Sequence, residues 1–429
     1  MNTHGRTLLI SAAAGSGKTA TLTERIIRRI TDPEHPAELS RLLIVTFTKA
    51  AASELKQRIS NALSEAIARD PGNRHLQNQL IHLGGAHIST IDAFCYQPVK
   101  EHFAESGMPA AFRIADDAEI LPLKQRIMDE LIDEFYLKYA TTESLDEAQQ
   151  DLFTVLQGNL FADLCDALSS FKNDENLFKV LDKLYKDLLN FPEGITRLQM
   201  EADRLSSGAD IDFFDTDHGK LLLTWTKTFH ESAIVFYEQA LALIQDDPAA
   251  LKAYGESLVY EYETLSALGS ALDLGTYDRV RTVIHAYVTH GFTSCRKPLR
   301  DYSDLKKRRK KYLDDLTKFR EEYYAAPSEV MKKDMLHMAD MCRVLYDFMK
   351  AYDERLSEEK KRRGICDFTD NRRRLLDMLQ NEDGSPSALC QSYLDTYDEV
   401  YIDEYQDVDE VQDTIFRLIG ADHRFIRAS

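Results

Sequence analysis

The sequence predicts an α/β protein in which a parallel sheet with helices on both faces is interrupted by a large all-helical insertion. Three observations lead to this fold class: strands alternate with helices near the N-terminus, only helical periodicity follows, and a buried strand returns near the C-terminus. Strand–helix–strand alternation is typical of parallel sheets covered on both faces. The predicted boundaries are 1–115 for the first part of the sheet domain, 116–360 for the insertion and 361–429 for the second part.

The first predicted strand, 7–11, leads directly into a glycine-rich phosphate-binding pattern. Residues 12–19 read AAAGSGKT, with Ala12 at the first glycine of the pattern G-x-x-x-x-G-K-[ST], and an amphipathic helix is predicted over 18–30. Such a loop holds phosphates with backbone N–H groups, a lysine on the β/γ-phosphates and a hydroxyl on Mg²⁺. The alternative is a glycine-rich turn followed by Lys-Thr by coincidence. The predicted nucleotide-binding residues are Ala14, Gly15, Ser16, Gly17, Lys18, Thr19 and the adjoining Ala20.

The second predicted strand, 42–46, runs into the sequence TFTKAAASELKQRI, which opens a helix over about 49–68. Threonine and lysine at a helix N-terminus can bind phosphate oxygens, and Phe47 can stack on a base. The alternative is an ordinary amphipathic helix that is capped by Thr48 and turns Leu55 and Ile59 toward the core. Physical chemistry alone leaves the two interpretations open.

A third strand, 87–90, and a helix over 91–105 repeat this arrangement with the sequence HISTIDAFC. Phe94 is either a second stacking platform or a core aromatic, and composition statistics favour the core.

The region from 116 to 360 is predicted to be helical throughout. Its predicted helices cover 121–139, 160–189, 221–244 and 330–356. Residues 296–320 contain eleven Lys/Arg against four Asp/Glu, which indicates either a contact with DNA phosphates or a solvated helix face. A second basic run, 360–363 with 372–374, is interpreted as domain-junction or solvated surface. Trp225 and the aromatic residues at 229–237 are predicted to be helical core.

An acidic strand end near the C-terminus supplies the second half of a nucleotide site. Val400, Tyr401 and Ile402 form a buried strand, after which Asp403 and Glu404 emerge where open α/β sheets bind ligands. Asp403 would hold Mg²⁺ through water, and Glu404 would orient or deprotonate an attacking water. The alternative is an acidic loop that solvates the strand end. A helix over 411–419 and a short strand at 424–426 follow.

Composition limits the possible binding partners of the protein and its possible cellular compartment. A net charge of −19 argues against a general nucleic-acid coat or an anionic membrane as partner, although it allows a local basic track. No apolar stretch is long enough to span a membrane, and the N-terminus lacks a signal-peptide layout. The six cysteines are scattered without C-x-x-C spacing. They are typical of reduced thiols, so the prediction is a cytoplasmic location.

Four motifs in this order, AAAGSGKT, TFTKAAASEL, STIDAFC and IDEYQDV, resemble those of the superfamily 1 DNA helicases of the UvrD/RecB type. The sequences FRIADDAE at 112–119 and ICDFTD at 365–370 narrow the resemblance to the AddA or RexA type, which is one of the two subunits of the bacterial ATP-dependent helicase/nucleases. The resemblance is strong over 1–120 and 360–429. Between these ranges it is limited to the position of the insertion and its helical character.

The resemblance implies a RecA-like P-loop NTPase motor domain, 1A, with an inserted helical domain, 1B. ATP and Mg²⁺ would bind at Lys18 and Thr19, Asp403 and Glu404 would complete the hydrolytic site, and Gln406 would sense the γ-phosphate. Segments 46–49 and 90–94 would line the path of single-stranded DNA. The implied partners are single-stranded and duplex DNA and the B subunit of the helicase/nuclease, in the repair of double-strand breaks.

The sequence departs from the family pattern in several places. Asp92 and Ala93 stand where many relatives have His-Ser or His-Gly, and the upstream glutamine motif that reads adenine is absent. The chain also ends before a G-D-x-x-Q-S motif, the second RecA-like domain with its arginine finger, and the nuclease domain. We therefore expect weak nucleotide binding and poor hydrolysis from this chain alone. A DNA-independent P-loop ATPase and a non-catalytic DNA- or partner-binding module are the alternatives.

Overall fold

The computed structural model describes residues 8–10, 17–140, 159–168, 174–293, 302–420 and 425–428. The chain divides into two compact units, which we describe separately. The first comprises 1–197 together with 346–429, and the second comprises 198–345.

The first unit is built on a parallel sheet with the strand order β1-β7-β6-β2-β3. All four pairings are parallel, which confirms the predicted sheet. The strands of the molecule are β1 (Leu8–Ile10), β2 (Leu42–Thr46), β3 (Ile88–Thr90), β4 (Arg113–Ile114), β5 (Ile365–Cys366), β6 (Glu399–Ile402) and β7 (Phe425–Ala428). Strand β6 therefore inserts between β2 and β7, although it comes from the far end of the chain.

Helices cover both faces of this sheet. In the central strand β2, Leu42 and Ile44 pack on one side and Leu43 and Val45 on the other, because side chains alternate along a strand. The helices are α1 (Lys18–Ile30), α2 (Lys49–Arg69), α3 (Arg74–His82), α4 (Ile91–Glu101), α5 (Asp117–Ala140), α6 (Asn159–Leu168), α7 (Asp174–Leu188), α8 (Thr196–Gly208), α9 (Asp217–Ile244), α10 (Pro248–Leu274), α11 (Tyr277–Ala286), α12 (Ser303–Lys318), α13 (Ser328–Arg363), α14 (Phe368–Leu379), α15 (Ala388–Thr396) and α16 (Glu410–Gly420). The first three cover one face, whereas α4, α14, α15 and α16 cover the other.

A second, two-stranded parallel sheet joins β4 to β5, with Arg113 opposite Ile365 and Ile114 opposite Cys366. The two segments belong to the sequences FRIADDAE and ICDFTD that narrowed the family resemblance. Two-residue strands carry no alternation that could have predicted this pairing from the sequence.

The second unit contains only helices and helical turns among its described residues, 198–293 and 302–345. Its core is rich in aromatic side chains, and the prediction of core positions is confirmed for Phe236 and Tyr237. The prediction is wrong for Trp225, which is 57% exposed. The buried face of α9 includes Leu222 and Thr226. Each step along a helix turns the side chain by about 100°, so Trp225 points in a different direction from its neighbour Thr226.

Within the described part of the chain, no helix is both long enough and apolar enough to cross a membrane.

Candidate nucleotide-binding site

A cleft of about 770 Å³ opens at the edge of the large sheet where β2 and β6 end and α1 begins. Three segments far apart in the sequence meet there: the start of α1, the segment after β2 and the acidic segment after β6. The lining residues are Thr19, Thr23, Thr46, Phe47, Thr48, Ala51, Glu54, Leu55, Arg58, Asp403 and Glu404. The geometry thus unites the two predicted halves of a nucleotide site.

The closest link between these halves is the pair formed by Thr19 and Asp403. The Thr19 hydroxyl donates a hydrogen bond of 3.4 Å to Oδ1 of Asp403, across 384 positions of sequence. The backbone N–H of Asp403 donates to the Val45 carbonyl oxygen at 3.1 Å, which continues the β6–β2 pairing by one residue. Asp403 is only 4% exposed, so its carboxylate is held in place. A hydroxyl and a carboxylate oxygen on one cleft wall are the hard donors that Mg²⁺ prefers, so this pair fits the expected ion.

Glu404 has a backbone conformation that its residue type seldom adopts. Its φ of 55° is the one positive φ among the described residues other than glycine, and holding it there costs roughly 1 kcal/mol. The backbone N–H of Glu404 donates to Oδ1 of Asp403 at 3.1 Å. The Gln406 side-chain amide donates to the Glu404 carboxylate, while Gln406 itself is exposed and does not line the cleft. The strained turn therefore positions Glu404 at the cleft and connects it to Gln406.

The predicted phosphate-binding loop is described only at its end. Gly17 adopts a left-handed φ of 87°, and α1 begins at Lys18, as the sequence predicts. The predicted residues Ala14, Gly15 and Ser16 lie outside the described residues, and Lys18 is described in its backbone position alone. Ala20 lies on the exposed side of α1.

The segment after β2 begins a capped helix and also lines the cleft. Thr48 caps α2 by accepting a hydrogen bond of 3.1 Å from the Ala51 N–H, and Leu55 and Ile59 are buried. The capped amphipathic helix is therefore confirmed. Thr46, Phe47 and Thr48 also line the cleft, while Lys49 is exposed.

Sequence reasoning missed two charged residues of the cleft, Glu54 and Arg58 of α2. Their side chains pair at 2.5 Å, and both face the cleft. The signal was available, because Ala51, Leu55 and Arg58 recur at helical spacing and define one face of α2.

The structure removes Phe94 from the residues available for stacking on a base. Its ring is 8% exposed and lies 5.9 Å from the rings of both Tyr393 and Phe416. Phe94 is therefore a core aromatic, as composition alone had favoured, and the expectation that it lines a DNA path is wrong. Thr90 caps α4 by accepting the N–H of Ala93 at 3.2 Å.

Asp92, the residue that departs from the family pattern, faces other charges of the protein. Burial raises its pKa, the nearby Arg372 guanidinium opposes that rise, and Asp409 adds to it. Arg372 is itself paired with Asp409 at 2.7 Å. The surroundings of Asp92 therefore disfavour its charged form.

The two basic runs differ in their surroundings. In the first run, residues 296–301 are outside the described residues, and the rest lies on α12 and the turn after it. In the second run, Lys360 is 4% exposed and bonds to Asp367 at 2.7 Å and Asp370 at 2.9 Å, so it is not solvated surface. Arg373 and Arg374 donate to the carbonyl oxygens of Phe191 and Ser106.

Comparison with known proteins decides the family. A profile of the UvrD/REP helicase N-terminal domain matches residues 1–427. The chain belongs to the UvrD/REP helicase family. The cleft described above therefore lies in a UvrD/REP helicase domain, with its parallel sheet and high helical content.

Curated relatives are named as the A subunit of an ATP-dependent helicase/nuclease. The chain is 31% identical to the protein of Acetivibrio thermocellus over 97% of this chain and 32% of that protein. Identity is 30% to the Clostridium acetobutylicum protein and 32% to that of Bacillus cytotoxicus, each over 98% of this chain and 33% of the relative. The chain thus spans about a third of the length of the curated relatives that it matches.

Proposed function

We propose that this chain is the nucleotide-hydrolysing part of an ATP-dependent DNA helicase that acts with a second protein in double-strand-break repair. The observation that carries the proposal is the contact of Thr19 with Asp403 in one cleft. The family match and the shared name of the relatives support the same activity.

In this proposal ATP is the substrate, and the residues of the cleft divide the work. Lys18 contacts the phosphates, and Thr19 and Asp403 hold Mg²⁺, which supplies charge neutralisation to the phosphates when bound. Glu404 orients the attacking water and accepts its proton. In this proposal Gln406, whose side-chain amide donates to Glu404, communicates the state of the γ-phosphate to the surrounding segments.

We propose that residues 1–115 and 361–429 form motor domain 1A and that 116–360 form the inserted domain 1B. The second unit, 198–345, whose described residues form only helices and helical turns, lies within the proposed insertion. Single-stranded DNA would pass the cleft wall formed by Thr46, Phe47 and Thr48, and duplex DNA would lie ahead of the motor. The whole complex would work in the cytoplasm, with the B subunit of the helicase/nuclease as partner.

The direct test is the binding of a fluorescent ATP analogue, measured with and without Mg²⁺. We expect Asp403→Asn to weaken binding at least ten-fold with Mg²⁺ and to have little effect without it, because the lost carboxylate is the group that holds the metal ion and its water. Asp407→Asn is the matched control, since Asp407 is exposed, belongs to the same acidic segment and does not line the cleft. Equal effects of the two substitutions would contradict the assignment of the site.

Addition of a short oligothymidylate to the same assay separates the motor from its alternatives. Coupled sites require nucleotide and DNA to change each other's affinity by the same factor. We expect such a change. Nucleotide binding that ignores DNA would favour a DNA-independent ATPase, and DNA binding without any nucleotide binding would favour a non-catalytic module.

A further inference from the structure

A second cleft, in the helical unit, combines one exposed tryptophan and several less exposed aromatic rings with lysine side chains. It has a volume of about 960 Å³ and lies between α9, α12 and the π-helical turn Phe319–Tyr323 that follows α12. Every residue that lines it belongs to the second unit, so it is separate from the nucleotide site. We refer to it as the aromatic cleft.

One aromatic ring of this cleft is exposed, and the partly or fully buried rings around it hold it in position. Trp225 is 57% exposed, and its ring lies 5.4 Å from that of Tyr323. Phe229 packs on Phe319 at 5.1 Å, and the hydroxyl of Tyr312 donates to the Ser232 carbonyl at 3.1 Å. A large aromatic residue that is left exposed against a fixed partner provides a ready surface for stacking a planar ligand.

Lysine side chains border the same rings. Lys311 and Lys318 both line the aromatic cleft and are exposed. Lys318 lies 5.8 Å from the Tyr323 ring centroid and 3.8 Å from Glu322, whereas Lys311 has no ion pair with any residue in the described ranges. The exposed Lys306, Lys307 and Lys310 continue the positive charge along α12, although the chain as a whole carries −19.

Fixed aromatic rings beside exposed cations suit one ligand chemistry in particular. Base–aromatic stacking together with electrostatic contacts to phosphates is how single-stranded nucleic acids are bound without sequence preference. Paired bases inside a duplex do not expose their faces, so the rings favour an unpaired strand. We propose that the aromatic cleft binds one unstacked base of single-stranded DNA on Trp225 and its flanking phosphates on Lys311 and Lys318. The proposal rests on the proposed function only in taking the nucleic acid to be DNA.

The chain provides its own probe, because Trp225 is its one tryptophan. Titration with a twelve-nucleotide oligothymidylate at low salt should quench the tryptophan emission by half or more as the base stacks. An abasic strand of equal length keeps the phosphates and should bind without quenching. A blunt duplex should likewise leave the emission unchanged. Equal quenching by all three, or binding seen by anisotropy without any quenching, would overturn the proposal.

Substitutions give a readout that does not depend on tryptophan emission. Measured by anisotropy of a labelled oligothymidylate, Trp225→Ala should weaken binding about ten-fold, which corresponds to the stacking of roughly one base. Lys311→Ala should weaken binding several-fold and reduce the salt slope by about 0.7. Lys310→Ala is the matched control, because Lys310 is exposed on the same helix but does not line the cleft. Equal losses for the two lysine variants would count against the cleft.

The nucleotide site provides the remaining check. Binding of the fluorescent ATP analogue should be unchanged in Trp225→Ala and Lys311→Ala, which shows that the first unit is intact, and thermal unfolding followed by circular dichroism shows that the helical second unit is folded in each variant. If the proposed function is wrong, the unsubstituted chain does not bind the ATP analogue. If the present inference is wrong, the chain binds the ATP analogue but does not show the expected quenching and loss of oligonucleotide affinity.

Discussion

The ion pair between Glu261 and Arg309 holds the basic helix α12 against α10, and neutralising it should destabilise the second unit. Glu261 is 2% exposed; its two carboxylate oxygens share the Nε–H of Arg309, at 2.8 and 3.0 Å, and one of them also accepts from Nη2. The guanidinium also donates to the carbonyl of His290, and Tyr237 bonds to the same carboxylate. Burial and the negative charge of Glu261 raise the pKa of Tyr237, which therefore remains a donor at neutral pH. The perturbation that we choose is Glu261→Gln, which keeps the size and removes the charge.

The expected cost follows from the burial of the pair. Removing one partner of a buried ion pair costs about 3–5 kcal/mol, because the other charge remains desolvated. Arg309 keeps its bond to His290 and its side chain is 11% exposed, so we expect the lower end, about 3 kcal/mol. For a unit of about 150 residues this corresponds to a fall in Tm of roughly 10 °C.

The assay is urea and thermal unfolding followed by the emission of Trp225, which lies in the same unit and therefore reports on it. Glu322→Gln is the control, since Glu322 lies in the same unit and its pair with Lys318 is exposed on both sides, so it should contribute less than about 0.5 kcal/mol. The double variant Glu261→Leu/Arg309→Met should recover most of the lost stability, because it removes both charges and retains volume.

The reasoning would be refuted by a loss below about 1 kcal/mol for Glu261→Gln, or by a double variant that is no more stable than the single one. A loss that disappears in high salt would also count against it, because a buried pair is screened much less than an exposed one.

Three further predictions concern the first unit. Asp92→Asn should stabilise this unit at pH 7 by less than about 1 kcal/mol, and the gain should be absent near pH 3. Burial raises the pKa of Asp92 in the folded protein above 3.8. The free-energy cost of ionising Asp92 in the folded protein therefore grows as the pH rises from 3.8 through the folded pKa. Unfolding curves of both proteins at several pH values test this, and a gain that persists at pH 3 would contradict it. Phe94→Ala should cost about 3 kcal/mol by loss of core packing, while the oligonucleotide affinity of the folded protein, measured by anisotropy, stays unchanged. Thr48→Ala should cost about 1 kcal/mol in circular-dichroism unfolding, because the first turn of α2 loses its cap; Thr48→Ser should restore the stability.

Local sequence determined the features that depend on neighbouring residues. The extent of β2, the start of α1 after Gly17 and the cap at Thr48 follow from apolar runs, backbone freedom and hydrogen bonding within a few positions. The acidic strand end at Asp403 was also readable, since an apolar strand followed by a carboxylate is a local pattern. That it would lie beside Thr19 required only that parallel strands share one carboxyl edge.

Tertiary structure alone decided which partner covers each surface. Periodicity gives a helix two faces, but it does not say whether Phe94 meets other rings or a base, or whether Trp225 turns outward. Periodicity likewise does not say that Lys360 is buried against Asp367 and Asp370, which lie beyond the end of its helix. A sequence therefore specifies local geometry through short-range hydrogen bonds and sterics, whereas burial is a property of two surfaces that meet, and the second surface is distant in the chain.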